Sequence, residues 1–357
     1  MIFFSRIAAT KSAASERRDT AIAEDAQWVG PSSFGPSTTV AELATWWYDN
    51  VARHRVRASS LGKYRDRVQR IGATLGSVGV VSLRSEHVVA WQSAMLDDLA
   101  PSTVADTRTT LRQIIAAGVD HGLVPVNVVD RVKAPKVTPK SARALEADDA
   151  RQLIIAARDH RLGAAVALLF VQGWRVSEVL GLAWSDVDVR AGTATVRRAA
   201  AYVDGQGMVL GPTKTTGAQG VHHLAPGVLA MLSERSKAQR VERLAAGNSW
   251  MTHTYEGRPV ELAFTTPAGG IVNRQAITKV IQAAARAAGL DPEGLSTHTG
   301  RRTVVTTLYS VEGIDLADVA RHVGHASPST TASYVRALGQ RPKATAEAAA
   351  RRLDVAP

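Results

Sequence analysis

A basic stretch broken by two prolines, Val132-Lys133-Ala134-Pro135-Lys136-Val137-Thr138-Pro139-Lys140, separates two parts of this chain that follow different hydrophobic patterns. A proline biases the residue before it away from helix, and the stretch has no apolar face, so residues 133–143 read as an extended linker. A domain boundary belongs here. With about 100–200 residues per domain, a chain of 357 residues fits two domains, each able to bury its own core.

Ahead of the linker the pattern is helical. Residues 1–37 are rich in Ala, Ser and charge and end in Gly30-Pro31-Ser32-Ser33-Phe34-Gly35-Pro36, which reads as a flexible N-terminal arm or disordered leader. Val40, Leu43, Ala44, Trp47 and Val51 then share one helix face, with Ser37 or a neighbouring Thr able to cap its start. Further helices are predicted at about 60–73, 85–97 and 101–121, the last opened by Pro101 and striped by Val104, Leu111, Ile114, Ile115 and Val119. Residues 38–132 are therefore expected to form an all-helical domain.

Behind the linker, apolar helices are predicted at 148–157 and 163–172, with another starting at Val176. The period then changes. Residues 193–196, 208–210 and 221–224 are short strand candidates separated by Asp204-Gly205-Gln206-Gly207 and Thr216-Gly217, the pattern of a small meander. Helical segments resume at about 226–246, 273–289, 298–310, 315–322 and 328–337. The expected fold is mainly α with a small antiparallel β-sheet: the helical domain, an α+β domain over 144–340, and a tail at 341–357 whose Ala344–Leu353 is an Ala-rich helix.

The chain has no cysteine, which excludes a disulfide framework, a thiolate nucleophile and Cys-based metal sites, and suits a reducing compartment. No stretch approaches the apolar length needed to cross a bilayer, and the opening Met1-Ile2-Phe3-Phe4 is too short for a signal-peptide core, so a soluble, cytoplasmic protein without membrane partners is expected. A formal charge of +11 favours polyanionic partners, of which nucleic acid is the commonest. Arg outnumbers Lys several-fold, which suits bidentate phosphate recognition, although a GC-rich genome has the same effect.

In the first domain Arg53, Arg55, Arg57, Lys63, Arg65, Arg67 and Arg70 are opposed only by Asp66. Lys63, Arg67 and Arg70 lie three or four residues apart and could present a basic strip to a phosphate backbone; a solvated helix surface is the plainer alternative. In the second domain Arg175 stands at the mouth of an apolar helix in Gly173-Trp174-Arg175-Val176-Ser177-Glu178-Val179-Leu180-Gly181-Leu182. His298 and Arg301 follow at i and i+3 near a helix start capped by Ser296 or Thr297. Val323-Gly324-His325 then precedes Ser329-Thr330-Thr331-Ala332-Ser333-Tyr334. Taken singly, these are an ion pair with Glu178, a helix-start histidine, a turn histidine and a half-buried aromatic.

In this order and spacing, over about residues 38–340, they resemble the tyrosine recombinases, or phage-type integrases. Arg175 matches the Arg of that family's G-x-R-x-S-E-x-x-x-L block, Lys214 in Pro212-Thr213-Lys214-Thr215 its β-hairpin Lys, and His298 and Arg301 its H-x-x-R helix start. Gly324-His325 matches its Gly-His pair, and Tyr334 its nucleophile. The resemblance implies a core-site DNA-binding domain at 38–132 and a catalytic domain at 144–340. It implies breakage and rejoining of DNA through a 3′-phosphotyrosyl intermediate, with sequential strand exchange via a Holliday junction. Double-stranded DNA would be the partner, bound by a homotetramer assembled from monomers, with the tail helix docking on a neighbouring protomer or folding back on its own domain. An accessory DNA-bending or directionality factor is a further candidate partner. Three features depart from the family pattern: Gly300 stands where Leu is usual, which predicts a looser helix start, Arg302 stands where His is common, and the hairpin has Ala218-Gln219-Gly220 in place of the Ser or Arg often seen just after the Lys.

The chemistry of these residue types agrees. Guanidinium forks stabilise charge developing on non-bridging phosphate oxygens without being deprotonated, the expected work of Arg175 and Arg301. A tyrosine needs a base, for which His298 is the candidate, and an electropositive setting. Lys214 is the candidate general acid for the leaving 5′ oxygen, His325 a hydrogen-bond donor to the phosphate, and Glu178 a buttress for Arg175 or His298. No cofactor is expected. Two alternatives use the same fold: a type IB topoisomerase-like relaxing enzyme and a DNA-binding protein without cleavage. Neither His322 with His325 nor His222 with His223 has the context of a zinc site.

Overall fold

The computed structural model describes residues 34–138, 143–213, 220–309 and 314–324. The expectations for the leader up to Ser33, for Lys214, His325 and Tyr334, for the helix at 328–337 and for the tail lie outside the described residues. The chain divides into two compact units, residues 1–138 and 139–357.

The first unit is helical, and its helix starts follow from local capping chemistry. α1 (Val40–Trp47) opens with a reciprocal capping box: Thr39 Oγ1 accepts from the Glu42 backbone at 3.2 Å, while Glu42 Oε2 accepts from the Thr39 backbone at 2.8 Å. A π-turn (Tyr48–Ala52) and a short turn at Arg53–Arg55 lead into α2 (Ala58–Leu75), followed by α3 (Ser85–Asp98) and α4 (Pro101–Asp120). Pro101 occupies the first turn of α4, where its missing N–H costs nothing. The apolar stripes meet in a core of Leu43, Trp47, Ile71, Leu75, Trp91, Leu111, Ile114 and Ile115. Arg108 closes it underneath by donating to the carbonyls of Val129 and Val132.

The second unit is built around a buried helical hairpin. α5 (Ala147–Ala157) leads to α6 (Gly163–Ala167), every residue of which is buried, and α6 continues as a π-turn, Leu168–Gln172. α7 (Val176–Leu180) follows. α8 (Pro226–Ala246), α9 (Arg274–Ala287) and α10 (Thr297–Tyr309) pack around this centre, and α11 (Leu316–Val323) packs on α10 through Val304, Val305, Val319 and Val323. A carboxylate shared by two guanidiniums staples α8: Glu242 holds Arg235 at 2.6 Å and Arg161 at 2.7 Å, and Arg161 also donates to Thr265 O.

The strands do not form the expected meander. β1 (Val187–Asp188), β2 (Thr193–Thr195) and β5 (Val221–His223) make one antiparallel sheet in the order β1-β2-β5, with Ala194 opposite His222. β3 (Ala199–Val203) and β4 (Gly207–Gly211) form a separate hairpin inserted between β2 and β5. A second hairpin, β6 (His253–Tyr255) with β7 (Arg258–Val260), lies outside the strand candidates that the sequence pattern marks. The Ala199-Ala200-Ala201 run has weak strand propensity, so β3 carries little local signal and the partner of β4 is hidden in the sequence.

Among the described residues, no helix is long and apolar enough to cross a membrane.

Candidate active site

The π-turn at the end of α6 widens the last helical turn and re-aims the chain, a device often found at functional sites. Gly173 then adopts φ +64°, in the left-handed region. A Cβ there would lie 2.9 Å from Val323 Cγ1 and 3.4 Å from Val304, so both conformation and space call for glycine. The chain leaves the turn through the buried Trp174 and reaches Arg175, which precedes α7.

Arg175 and Glu178 bind each other twice. The Arg175 backbone N–H donates to Glu178 Oε2 at 2.8 Å, and Nη1 donates to Glu178 Oε1 at 2.8 Å. One buried carboxylate thus satisfies an orphan donor at the start of α7 and fixes the direction of the guanidinium. Nη2 lies 3.5 Å from the carbonyl of Gly324, at the end of α11.

Arg301 comes from the first turns of α10 and is 3% exposed. Its Nη1 donates to the carbonyl of Gly173 at 2.8 Å. Burying a guanidinium is costly unless it is paired, and this bond both offsets that cost and ties α10 to the glycine turn. The helix start is tight rather than loose. Gly300 packs so closely on the preceding layer that a Cβ would meet Leu169 O at 2.6 Å and Phe170 Cδ2 at 3.1 Å. The absence of a side chain lets α10 approach the π-turn, which corrects the expectation from the Leu-to-Gly departure.

His298 opens the same helix. Its backbone N–H donates to Ser296 Oγ at 3.3 Å, and the Ser296 N–H donates to Thr299 Oγ1 at 3.0 Å. The imidazole keeps contact with solvent, yet its pKa is held below the usual histidine value by partial desolvation and then by the positive charges of Arg274, Arg302, Arg301 and Arg175. A neutral ring among four guanidiniums can accept a proton and leaves the cationic work to the arginines.

Arg175, Glu178, His298 and Arg301 are thus brought together around one turn. Two further cations, Arg274 at the start of α9 and Arg302 one residue beyond Arg301, share the surroundings of His298. The sequence pattern marks Arg302 only as a departure from the family. Arg274 belongs to no motif in the sequence, and its local signal is the cap Asn273, whose Oδ1 accepts from the Ala276 backbone at 2.8 Å. In the first unit Arg53, Arg55, Arg57, Lys63 and Arg70 are exposed. Arg67 is engaged: its Nη2 meets Asp106 Oδ2 at 2.6 Å and its guanidinium lies 5.2 Å from the centre of the Tyr64 ring. Among the described residues, no group of three or more His, Asp or Glu side chains is arranged to hold a metal ion.

The family model described as the phage integrase family matches residues 143–341, more than half of the chain. The tyrosine recombinase XerC of Xanthomonas campestris pv. campestris is 26% identical over 308 residues, covering 84% of this chain and 85% of that protein. The tyrosine recombinase XerD of Caulobacter vibrioides is 26% identical over 250 residues, covering 68% and 73%. Among solved structures, the Tn1549 transposon integrase in complex with transposon right end DNA aligns with a TM-score of 0.71 at 17% identity, covering 88% of this chain and 99% of that one. A lambda integrase dimer bound to a COC′ core site aligns with a TM-score of 0.58 at 17% identity, covering 91% and 89%.

Proposed function

This chain belongs to the phage integrase family, and from that premise we propose that it is a site-specific recombinase that breaks and rejoins double-stranded DNA through a 3′-phosphotyrosyl intermediate on Tyr334. The observation that carries this reading is the anchoring of two guanidiniums around the Gly173 turn, beside a histidine kept neutral.

Arg175 and Arg301 bind the scissile phosphate. Each is held from one side, Arg175 by Glu178 and Arg301 by the Gly173 carbonyl, so the charge is in place before the reaction begins. Tyr334 Oη attacks phosphorus and its proton passes to His298. The phosphorus–O5′ bond breaks, and the Lys214 ammonium gives its proton to O5′. His325 donates a hydrogen bond to a non-bridging oxygen. The phosphotyrosine conserves the energy of the broken bond, so a 5′-hydroxyl from a second DNA end can reverse the step without a nucleotide cofactor. Repeated on the second strand pair, the exchange proceeds via a Holliday junction.

The exposed Arg53, Arg55, Arg57, Lys63 and Arg70 make the first unit the core-site reader, with Arg67 held among them. Residues 1–37 serve as an arm and 133–143 as the linker. Relatives with solved structures include a lambda integrase tetramer bound to a Holliday junction, and a homotetramer on DNA is the assembly proposed here, with the tail at 341–357 docking on a neighbour. The site of action is the bacterial cytoplasm, and an accessory DNA-bending or directionality factor sets the direction of the reaction.

The test is covalent capture. A pool of nicked duplexes with randomised cores is incubated with the full chain in EDTA and the adducts are sequenced. A defined core motif is expected, and Tyr334→Phe is expected to abolish capture. Full adduct formation by the Phe variant would overturn the assignment of the nucleophile.

A further inference from the structure

Two buried polar atoms flank Gly173 without a hydrogen-bond partner among the described residues: Oε1 of Gln172, a residue 3% exposed, and Nε1 of Trp174, 1% exposed. Unsatisfied buried polar atoms are rare in folded proteins, because each forfeits its hydration, and an apolar residue at 172 would avoid that loss.

What the glutamine gains lies at the other end of its amide. Gln172 Nε2 donates to the carbonyl of His223 at 3.1 Å, joining positions 51 residues apart in sequence. The carbonyl acceptor also settles which way round the amide stands, since the reverse orientation would set two oxygens against each other. Trp174 meets the neighbouring His222 ring edge-on, with centroids 5.2 Å apart and planes at 68°. Gln172 and Trp174 therefore grip two consecutive residues of β5. Among the described strands β5 pairs with β2 alone, so this grip is a second tie, from the turn that carries Arg175.

We propose that Gln172, assisted by Trp174, is a positioning residue for protonation of the leaving group. It holds β5, the strand that opens shortly after Lys214 in sequence, against the Gly173 turn, so that the proton donor before β5 and the guanidiniums around the turn address one phosphate. This rests on the reading of Lys214 as general acid, and the test keeps the two claims apart.

In cleavage the phosphorus–O5′ bond breaks and O5′ takes a proton. In a 5′-bridging phosphorothiolate, sulfur replaces O5′ and departs as a thiolate, stable without a proton because thiols ionise near pH 8.5, roughly the value for Cys. A protein that delivers this proton poorly is slow on the oxygen substrate and normal on the sulfur one.

Both substrates are made from a captured core duplex and cleaved by the full chain. Gln172→Met, which removes the donor and also the unsatisfied Oε1, is expected to keep or raise the melting temperature. It should cleave the oxygen substrate about tenfold or more slowly, within the range that general acid catalysis supplies, and the sulfur substrate at nearly the normal rate. Gln172→Asn, too short to reach His223, should show the same split if the Met variant fails to fold. Lys214→Ala should show it more strongly. Equal losses on both substrates for the Gln172 variants, or no loss on either, overturn the proposal. If instead Lys214→Ala is not rescued by sulfur, the reading of Lys214 as the acid falls.

Discussion

The guanidinium of Arg301 and the carbonyl of Gly173 meet at 2.8 Å, so the left-handed turn of one segment is the backstop for the charge of another. Gly173→Ala should disturb both partners. An L-residue at this φ costs about 1–2 kcal/mol, and the new Cβ must also displace Val323 Cγ1, 2.9 Å away. A clear fall in melting temperature is expected, together with loss of covalent capture. Arg301→Lys keeps the charge but loses the fork, and should slow cleavage by on the order of 10²-fold or more while the fold persists. Single-turnover cleavage and thermal unfolding of the two variants check this.

Gly300 makes the opposite demand, space rather than conformation. The obstacles nearest a Cβ are the carbonyl oxygen and carbon of Leu169, at 2.6 and 2.8 Å, and backbone cannot swing aside as a side chain can. Gly300→Ala should therefore destabilise by about 1–3 kcal/mol despite the better helix propensity of alanine, and Gly300→Leu by more. Because the backbone is the main obstacle, Phe170→Ala should fail to restore Gly300→Leu. Recovery of stability in that double variant would mean that the Phe170 ring is the true barrier.

These two glycines also mark how far the sequence could be read. Helix starts were legible where the signal is local: Pro101 and Pro226 open α4 and α8 where expected, and the cap of α1 is Thr39, one of the Thr neighbours of Ser37. The mainly helical class with small antiparallel sheets followed from period changes alone. Strand pairing was not legible, because β2 meets β5 across the whole inserted β3–β4 hairpin, and no short window carries that information. At the site, Arg175 with Glu178 was visible as a spacing of three residues across one helix start. The ties from Gln172 to His223 and from Arg301 to Gly173 span 51 and 128 residues and appear only once the chain has folded.

The field around His298 sets a pH dependence. Desolvation and then the charges of Arg274, Arg302, Arg301 and Arg175 lower its pKa, so the neutral, proton-accepting form persists to lower pH than for an ordinary histidine. For the free protein, the His298 imidazole signal, assigned by its loss in His298→Gln, should titrate below about pH 6.5. Removing one cation should move the midpoint upward, and Arg274→Ala is the natural choice because Arg274 leads the charge contributions and is exposed. If the midpoint does not move, Arg274 contributes nothing to the field at His298.

Glu242 offers a second titration, this time of stability. Burial alone would raise its pKa, but hydrogen bonds and charge from Arg235 and Arg161 bring it down to about 2. The folded pKa lies below the unfolded one, so the stabilisation is present above about pH 4.5 and is lost as pH falls toward 2. At neutral pH its size is about 3 kcal/mol, since the side chain is only 23% exposed and each pKa unit corresponds to about 1.4 kcal/mol. Glu242→Gln should lose a similar amount at pH 7 in urea unfolding. It should also flatten the decline in stability between pH 4.5 and 2; a variant as acid-sensitive as the parent would place that sensitivity elsewhere.

The basic face of the first unit should divide by function. Lys63 and Arg70 are exposed, whereas Arg67 on the same helix is pinned to Asp106 at 2.6 Å with its guanidinium over Tyr64. A residue that touches a DNA phosphate displaces counterions, so replacing it lowers the steepness of the salt dependence by about one unit per contact. Lys63→Ala and Arg70→Ala should each reduce that slope, measured as log affinity against log salt for the captured core duplex. Arg67→Ala should leave the slope unchanged and instead lower stability by up to about 1 kcal/mol, the usual worth of an accessible ion pair. A reduced slope for Arg67→Ala would mean that Arg67 gives up Asp106 when the chain meets DNA.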